Sequence, residues 1–392
     1  MAATDGRQRV LQRAQRTLRG LGERCPGLRG LPFLAAARLL GALGGIVTAG
    51  HAQAAGLPGD RGDLMYHRYD GGGVTASGPA LLVRKSLLNK VSLSASYYAD
   101  IVSNASIDVV TTASPYDETR NEFGIGADYA VRDALITLAG SRSKEPDYVA
   151  DTFNIDVAQE VFGGMTTVNL GYTYGSDDVG KRDVGFFDTA KHWRYRLGLT
   201  QILTPRWLAS ANFEVVSDDG YLGSPYRTAL VFGAAVPERV PRTRTSRSVD
   251  LRLVGEVLPA LSVHGEYRYF WDTWDVTSHT FELGLSKRFS EKWLVDAYAR
   301  TYRQDRALFY SNNATSETLY ITRNRQLGTY DNLGLGARAT YTWKRVPGRY
   351  EIRLNGALEQ IKTDYSDFTD IRTGSLYSYS ATVLQLYVSA DF

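Results

Sequence analysis

Leu384-Gln385-Leu386-Tyr387-Val388-Ser389-Ala390-Asp391-Phe392 ends the chain, and its reading decides the fold. Counting back from Phe392, every second residue is apolar: Ala390, Val388, Leu386 and Leu384. Strict period-two alternation specifies a β-strand with one apolar face. The same pattern recurs upstream. Val249, Leu251, Leu253, Gly255 and Val257 alternate with Asp250, Arg252, Val254 and Glu256. Phe281, Leu283 and Leu285 flank Glu282, and Leu333, Leu335, Ala337 and Ala339 alternate with Gly334, Gly336, Arg338 and Thr340.

The second faces of these strands set the fold class. In a soluble sandwich the apolar faces would all need one shared core, and about fifteen such faces are too many for one. The segments also run to ten residues or more, against a soluble mode of about 5–6. Long strands carrying mixed charge on one side fit a transmembrane antiparallel up-and-down β-barrel, with lipid outside and water inside. The 25 Tyr, 14 Phe and 6 Trp suit the aromatic girdles of such a barrel. A strand that closes the chain on an aromatic resembles the last strand of bacterial outer-membrane barrels. In those proteins the barrel-assembly machinery reads it, which would make Phe392 an assembly signal.

Connection lengths alternate. Short links fall near 86–89, 131–133, 162–164, 203–205, 258–260, 289–292 and 344–348. Long ones fall at 100–121, 175–190, 217–246, 304–331 and 362–376, with shorter outer links near 144–148 and 272–278. Short periplasmic turns and long extracellular loops are the barrel rule. Fifteen segments follow residue 79. A periplasmic C-terminus requires one more, supplied by Asp63–Tyr69 ahead of Gly71-Gly72-Gly73. The expectation is sixteen strands, with fourteen as the alternative.

Residues 1–54 differ from the rest. A lead carrying Arg7, Arg9, Arg13, Arg16, Arg19, Arg24 and Arg29 precedes an apolar stretch at 31–47, then Ala52-Gln53-Ala54. This reads as a signal peptide cleaved after Ala54, with a membrane anchor as the alternative, leaving 55–392 as one barrel domain. Of 45 basic and 42 acidic residues, 8 Arg and two acids lie in this leader. Residues 55–392 therefore carry 37 basic and 40 acidic groups, and no basic nucleic-acid footprint. The single cysteine, Cys25, also lies in the leader. Disulfides and cysteine-attached haem are thus not expected, and no resident cofactor is read from the sequence.

The lumen-lining candidates are Arg194, Arg196, Glu214, Asp250, Arg252, His264, Glu266, Arg268, Glu282, Asp296, Arg300, Arg338 and Arg353. They could set ion selectivity by their field or pair off and knit the wall. Ser262, His264, Glu266 and Arg268 share one strand face, but residues two apart lie roughly 7 Å apart. A pore-lining charge ladder is favoured over a catalytic set there, and no enzyme activity is expected. Arg239, Arg242, Arg244 and Arg247, at the end of the longest loop, could meet lipopolysaccharide or an anionic solute. Asp177-Asp178 and Asp218-Asp219-Gly220 are read as turn chemistry. Among His67, His192, His264 and His279 no zinc spacing is seen.

Several segments resemble the family called domain of unknown function 3570. They include 66–73, Leu82-Val83-Arg84-Lys85, 94–98 with 106–116, Ser224-Pro225-Tyr226-Arg227, 241–245 and 265–274. That resemblance implies an outer-membrane location without an established activity. It also implies a neighbourhood of periplasmic flavin-transfer and thioredoxin-like proteins as possible redox partners. Two functions follow as expectations. One is a porin-like channel for small solutes or ions. The other is a closed or plugged barrel acting as a scaffold for a periplasmic redox or assembly complex.

Overall fold

A computed structural model describes residues 56–87, 90–104, 106–107, 116–181 and 184–392. The leader, its cleavage site at Ala54 and most of 102–116 lie outside the described residues. The first strands are β1 (Arg61–Gly71), β2 (Val74–Leu87), β3 (Val91–Asn104), β4 (Tyr116–Val131), β5 (Ala134–Lys144) and β6 (Tyr148–Val161). Next come β7 (Thr166–Lys181), β8 (Phe186–Thr204), β9 (Trp207–Gly220), β10 (Thr228–Val231), β11 (Ala234–Pro237) and β12 (Thr243–Leu258). The chain finishes with β13 (Leu261–Asp272), β14 (Thr277–Arg288), β15 (Trp293–Gln304), β16 (Tyr330–Val346), β17 (Tyr350–Thr369) and β18 (Leu376–Asp391).

Sixteen of these, β1–β9 and β12–β18, form one closed barrel, while β10 and β11 form a separate hairpin. The predicted first strand exists, and it is the closing one: β1 pairs with β18 from Arg61↔Asp391 to Gly71↔Ala381. Gly72 and Gly73, at φ 62° and 78°, make the tight turn into β2, a conformation glycine adopts at little cost. At the other end, the Phe392 N–H donates to the Asp60 carbonyl at 3.2 Å, and Lys85 sits 5.1 Å from its ring centroid. The last residue is thus tied to the lead-in of β1.

The alternation reads directly as outside and inside. Ile125 is 73% exposed and Leu283 55%, whereas His264 and Ser389 on the opposite face are each 1% exposed. An outer wall this apolar is costly in water and suited to lipid. Aromatics mark the short-turn rim: Phe162, Phe289, Trp293 and Trp343 are all exposed there.

Three expected long connections are shorter than the sequence suggests. β7 and β8 run on to Lys181 and from Phe186, β17 runs to Thr369, and β3 and β4 close to Asn104 and Tyr116. The apolar alternation lapses there because outward positions of these extensions become polar, as at Asp178, Lys191, Lys362 and Asp364. The long loops proper are 221–242, which carries the β10–β11 hairpin, and 305–329.

Inward glycines give the lumenal side chains room to lie flat. A Cβ on Gly284 would stand 1.9 Å from the His264 ring, and one on Gly336 2.2 Å from the Tyr298 ring. These rings cover the backbone of the neighbouring strand instead of projecting across the lumen. Gly284→Val should therefore destabilise the barrel by about 1–3 kcal/mol through overpacking. Denaturant midpoints of the detergent-folded protein, read by the gel mobility of folded against unfolded barrel, measure it.

Candidate functional site

The lumenal wall is a set of ion pairs laid across neighbouring strands. Arg300 and Glu359, on β15 and β17, meet at 2.5 Å with side chains 4% and 6% exposed. They bridge over β16 where Gly334 leaves space, since a Cβ there would lie 2.9 Å from Glu359 Oε1. Arg196 donates to Asp156 at 2.8 Å, and Arg353 to Asp391 at 2.7 Å. Glu214 lies between Arg194 at 3.7 Å and Arg268 at 3.9 Å. Asp296 accepts from the Ser286 hydroxyl, and Arg338 approaches the Tyr387 hydroxyl at 3.4 Å.

His264 finds its carboxylate across the strand pair and not along its own strand. Its Nε2 lies 3.1 Å from Glu282 Oε1, with the ring flat over Gly284. Asp250 faces Arg268 in register, and Arg252 faces Glu266, while the buried Arg252 Nε–H has no hydrogen-bond acceptor. The sequence-selected charges thus lie on one inner surface, in pairs rather than as one cluster.

Two constellations went unread in the sequence. On β1 and β3, His67 Nε2 lies 2.6 Å from both Asp100 Oδ1 and the Tyr98 hydroxyl, and the His67 and Tyr98 rings stack at 4.7 Å. On β7–β9, His192 is held between two carboxylates: Nε2 on Asp177 at 2.8 Å and Nδ1 on Asp218 at 2.7 Å. Both aspartates therefore belong to strands, not to the turns assigned from their dipeptides. Asp218 faces Arg244 in register on β12, and Arg244 Nε donates to Asp272 on β13 at 2.7 Å. The result is a ladder of alternating acidic and basic side chains around five consecutive strands: Asp177, His192, Asp218, Arg244, Asp272. Only cross-strand register creates it, because its members are 15 to 28 residues apart.

Above the ladder, the long loops fold over the mouth. Ile321 and Arg239 exchange backbone hydrogen bonds of 2.7 and 3.0 Å, and Ala314 pairs with Leu230 and Phe232, both at 2.8 Å. These bonds join 305–329 to the β10–β11 loop. Trp274, Val276, Ala307, Tyr310 and Leu327 form the apolar centre of this roof. Arg323 donates to the Thr369 carbonyl at 2.7 Å and stacks 4.3 Å from the Phe368 ring centroid. Ile107, in the β3–β4 connection, packs with Tyr330, Tyr365 and Phe368. Beneath the roof lies a cavity of about 320 Å³, walled by Asp177, His192, Asp218 and Arg244 of the ladder with Tyr221, Phe270, Trp274 and Tyr302. A second cavity, about 770 Å³, opens at the short-turn end beside Arg288, Arg353, Asp391 and Phe392.

The four loop arginines disperse. Arg239 pairs with Glu317 at 2.8 Å and Arg242 with Asp188 at 2.7 Å, both on the surface. Arg244 turns inward to the ladder, 4.6 Å from the Trp274 ring centroid, and Arg247 stands on the strand face that carries Val249 and Leu251. Among the described residues, no group of three or more His, Cys, Asp or Glu has the geometry to hold a metal ion.

Glu145, in the short β5–β6 connection, has its carboxyl raised from 4.5 to about 7. Burial is the main cause; Glu118 and Asp100 add to it and Arg120, 3.8 Å away, opposes it.

The family described as "Protein of unknown function (DUF3570)" matches residues 102–355, or 254 of the 392. No curated protein sequence matches the chain. Among solved structures, a bacterial polysaccharide outer membrane secretin is similar at TM-score 0.51 and 10% identity, covering 86% of this chain and all of that one. OmpT of Vibrio cholerae, an outer membrane protein, is similar at TM-score 0.44 and 8% identity, over 86% of this chain and 98% of that one. A Pseudomonas aeruginosa FadL homologue is similar at TM-score 0.39 and 12% identity, over 86% and 91%. At 10% identity the likeness to the secretin is one of fold alone: a closed barrel of the outer-membrane kind.

Arg300→Leu, which strips the buried Glu359 carboxylate of its guanidinium partner, should cost about 3–5 kcal/mol, while Arg300→Met with Glu359→Leu should recover most of it. Chemical unfolding of the single and double variants decides this. A second expectation concerns pH. The Glu145 carboxyl is raised in the folded state, so it favours folding while protonated. Its contribution is lost as pH rises from 4.5 to about 7 and changes little above that. Glu145→Gln should remove that slope, as measured by unfolding midpoints across the same range.

Proposed function

We propose a function for a chain that belongs to the DUF3570 family: it is an outer-membrane channel for small solutes, entered at a mouth roofed by its own loops. The observation that carries this reading is the closed sixteen-strand wall, apolar outside and lined inside by charges. A barrel of this size encloses a lumen unless something fills it. The charges do not project as a ring of one sign. They lie in pairs against the wall, as Arg300–Glu359 and Arg196–Asp156 do. Paired charge leaves a weak net field along the lumen, so discrimination between cations and anions should be slight.

The roof supports a second reading, that of a closed barrel serving as a scaffold for a periplasmic redox or assembly complex. Loops bonded to one another and to β17 resemble a cover more than mobile strands of surface chain. The two readings part in a bilayer. Protein purified from outer membranes and placed in planar lipid should show small, weakly selective conductance steps. Loosening the roof with Arg323→Ala and with Arg325→Ala, whose guanidinium lies 5.3 Å from the Tyr377 ring centroid, should enlarge them several-fold. Absence of conductance in both proteins would leave the scaffold reading in its place.

A further inference from the structure

The cavity of about 320 Å³ beneath the roof is small for a vestibule and well furnished for a binding site. Its volume lies at the low end of the roughly 300–1,000 Å³ typical of small-molecule sites. It therefore has room for a compound of one or two rings. The walls are of two kinds. On the β13–β16 side stand the rings of Phe270, Trp274, Tyr302 and Tyr330. They are fixed before any ligand arrives. The Trp274 indole N–H donates to the Thr243 carbonyl at 2.9 Å, and its ring meets Phe309 edge-on at 5.1 Å. Tyr302 and Tyr330 pack together at 5.4 Å, and the Tyr302 hydroxyl donates to Gln304 Oε1 at 2.6 Å.

The other walls are polar and balanced. The ladder contributes Asp177, His192 and Asp218, and the roof contributes Glu238, Arg227 and the Gln326 amide. Each charge is already engaged. Asp177 and Asp218 hold His192, and Glu238 accepts from the Thr322 hydroxyl. Arg244 holds Asp272, and Arg268 is 3.2 Å from the Ser248 hydroxyl. An ion entering here would have to displace one of these partners or lose its own hydration uncompensated. A neutral hydroxyl compound meets no such obstacle. Carboxylates and amides still have acceptor capacity for O–H groups, and guanidinium groups can donate to ether and hydroxyl oxygens. Trp274 is covered by Arg244 and Tyr330 is buried, but the half-buried rings of Phe270 and Tyr302 suit the apolar C–H face of a saturated ring.

We infer that the roofed cavity is a binding site for a neutral, ring-shaped polyhydroxy compound of mono- or disaccharide size. This deepens the channel reading, which supplies the route to the site; binding itself does not require conduction. Calorimetric titration of the full barrel in detergent with maltose, sorbitol and glutamate separates the two. Maltose offers neutral rings, sorbitol hydroxyls without a ring, and glutamate charge without a ring. Maltose should bind, with sorbitol and glutamate weaker by about tenfold or more, the equivalent of one lost stacking contact. Phe270→Ala, judged folded by its heat-dependent gel mobility, should lose maltose affinity by a similar factor. Failure of maltose to bind the native protein, or equal binding of sorbitol, overturns the site whether or not the barrel conducts. Maltose binding without conductance keeps the site and removes the channel.

Discussion

A sheet with one apolar and one charged face cannot leave an edge open at membrane depth, because unpaired backbone groups there have nothing to bond. The eleven-residue pairing of β1 with β18 removes that edge. The rest depends on this closure. It separates an outside from an inside, turning period-two alternation into a wall with lipid-compatible residues on one side and a lumen on the other. It also gathers the lead-in, Lys85 and Phe392 at one rim, so the first and last strands hold each other in register.

Inside that wall the question is how charge is stored. Isolated buried ions are costly, and pairs are tolerable only with good geometry. The barrel meets this by pairing across strands, with glycine at the crossing points. Arg300 reaches Glu359 over Gly334, and His264 reaches Glu282 over Gly284. A side chain lying flat on the wall is both paired and out of the way. Toward the loop end the pattern tightens into the ladder from Asp177 to Asp272, on which the roofed cavity rests. Rigid strands position the polar groups there, while loops supply the lid, an arrangement well suited to a site that is enclosed yet reached through a lumen.

How much of this the sequence disclosed follows from the range of each interaction. Alternation is local, so Leu384–Phe392 and Val249–Val257 could be read at once, and strand count followed from parity and the need for a first strand at Asp63–Tyr69. The charged inner face was visible for the same reason. Its pairing was not: His264 shares a strand with Glu266 yet bonds Glu282, a choice made by register between strands. Asp177 and Asp218 read as turn residues because aspartates are common in turns; only the fold sets them against His192. The loop arginines looked like a cluster in sequence and separate in space because Arg239 and Arg242 take different surface carboxylates while Arg244 and Arg247 fall on opposite faces of β12. The roof was least legible, since its contacts join Ile321 to Arg239 and Ile107 to Phe368, residues far apart in sequence.

The central claim is that alternate residues of one strand face lipid and lumen. With Cys25 the only native cysteine, single cysteines can be placed through β14 on a Cys25→Ser background and labelled with a small fluorophore. In bilayers of brominated lipid, labels at Phe281→Cys, Leu283→Cys and Leu285→Cys should be quenched, and those at Thr280→Cys, Glu282→Cys and Ser286→Cys should not. Quenching that shows no period of two along this strand would contradict the account.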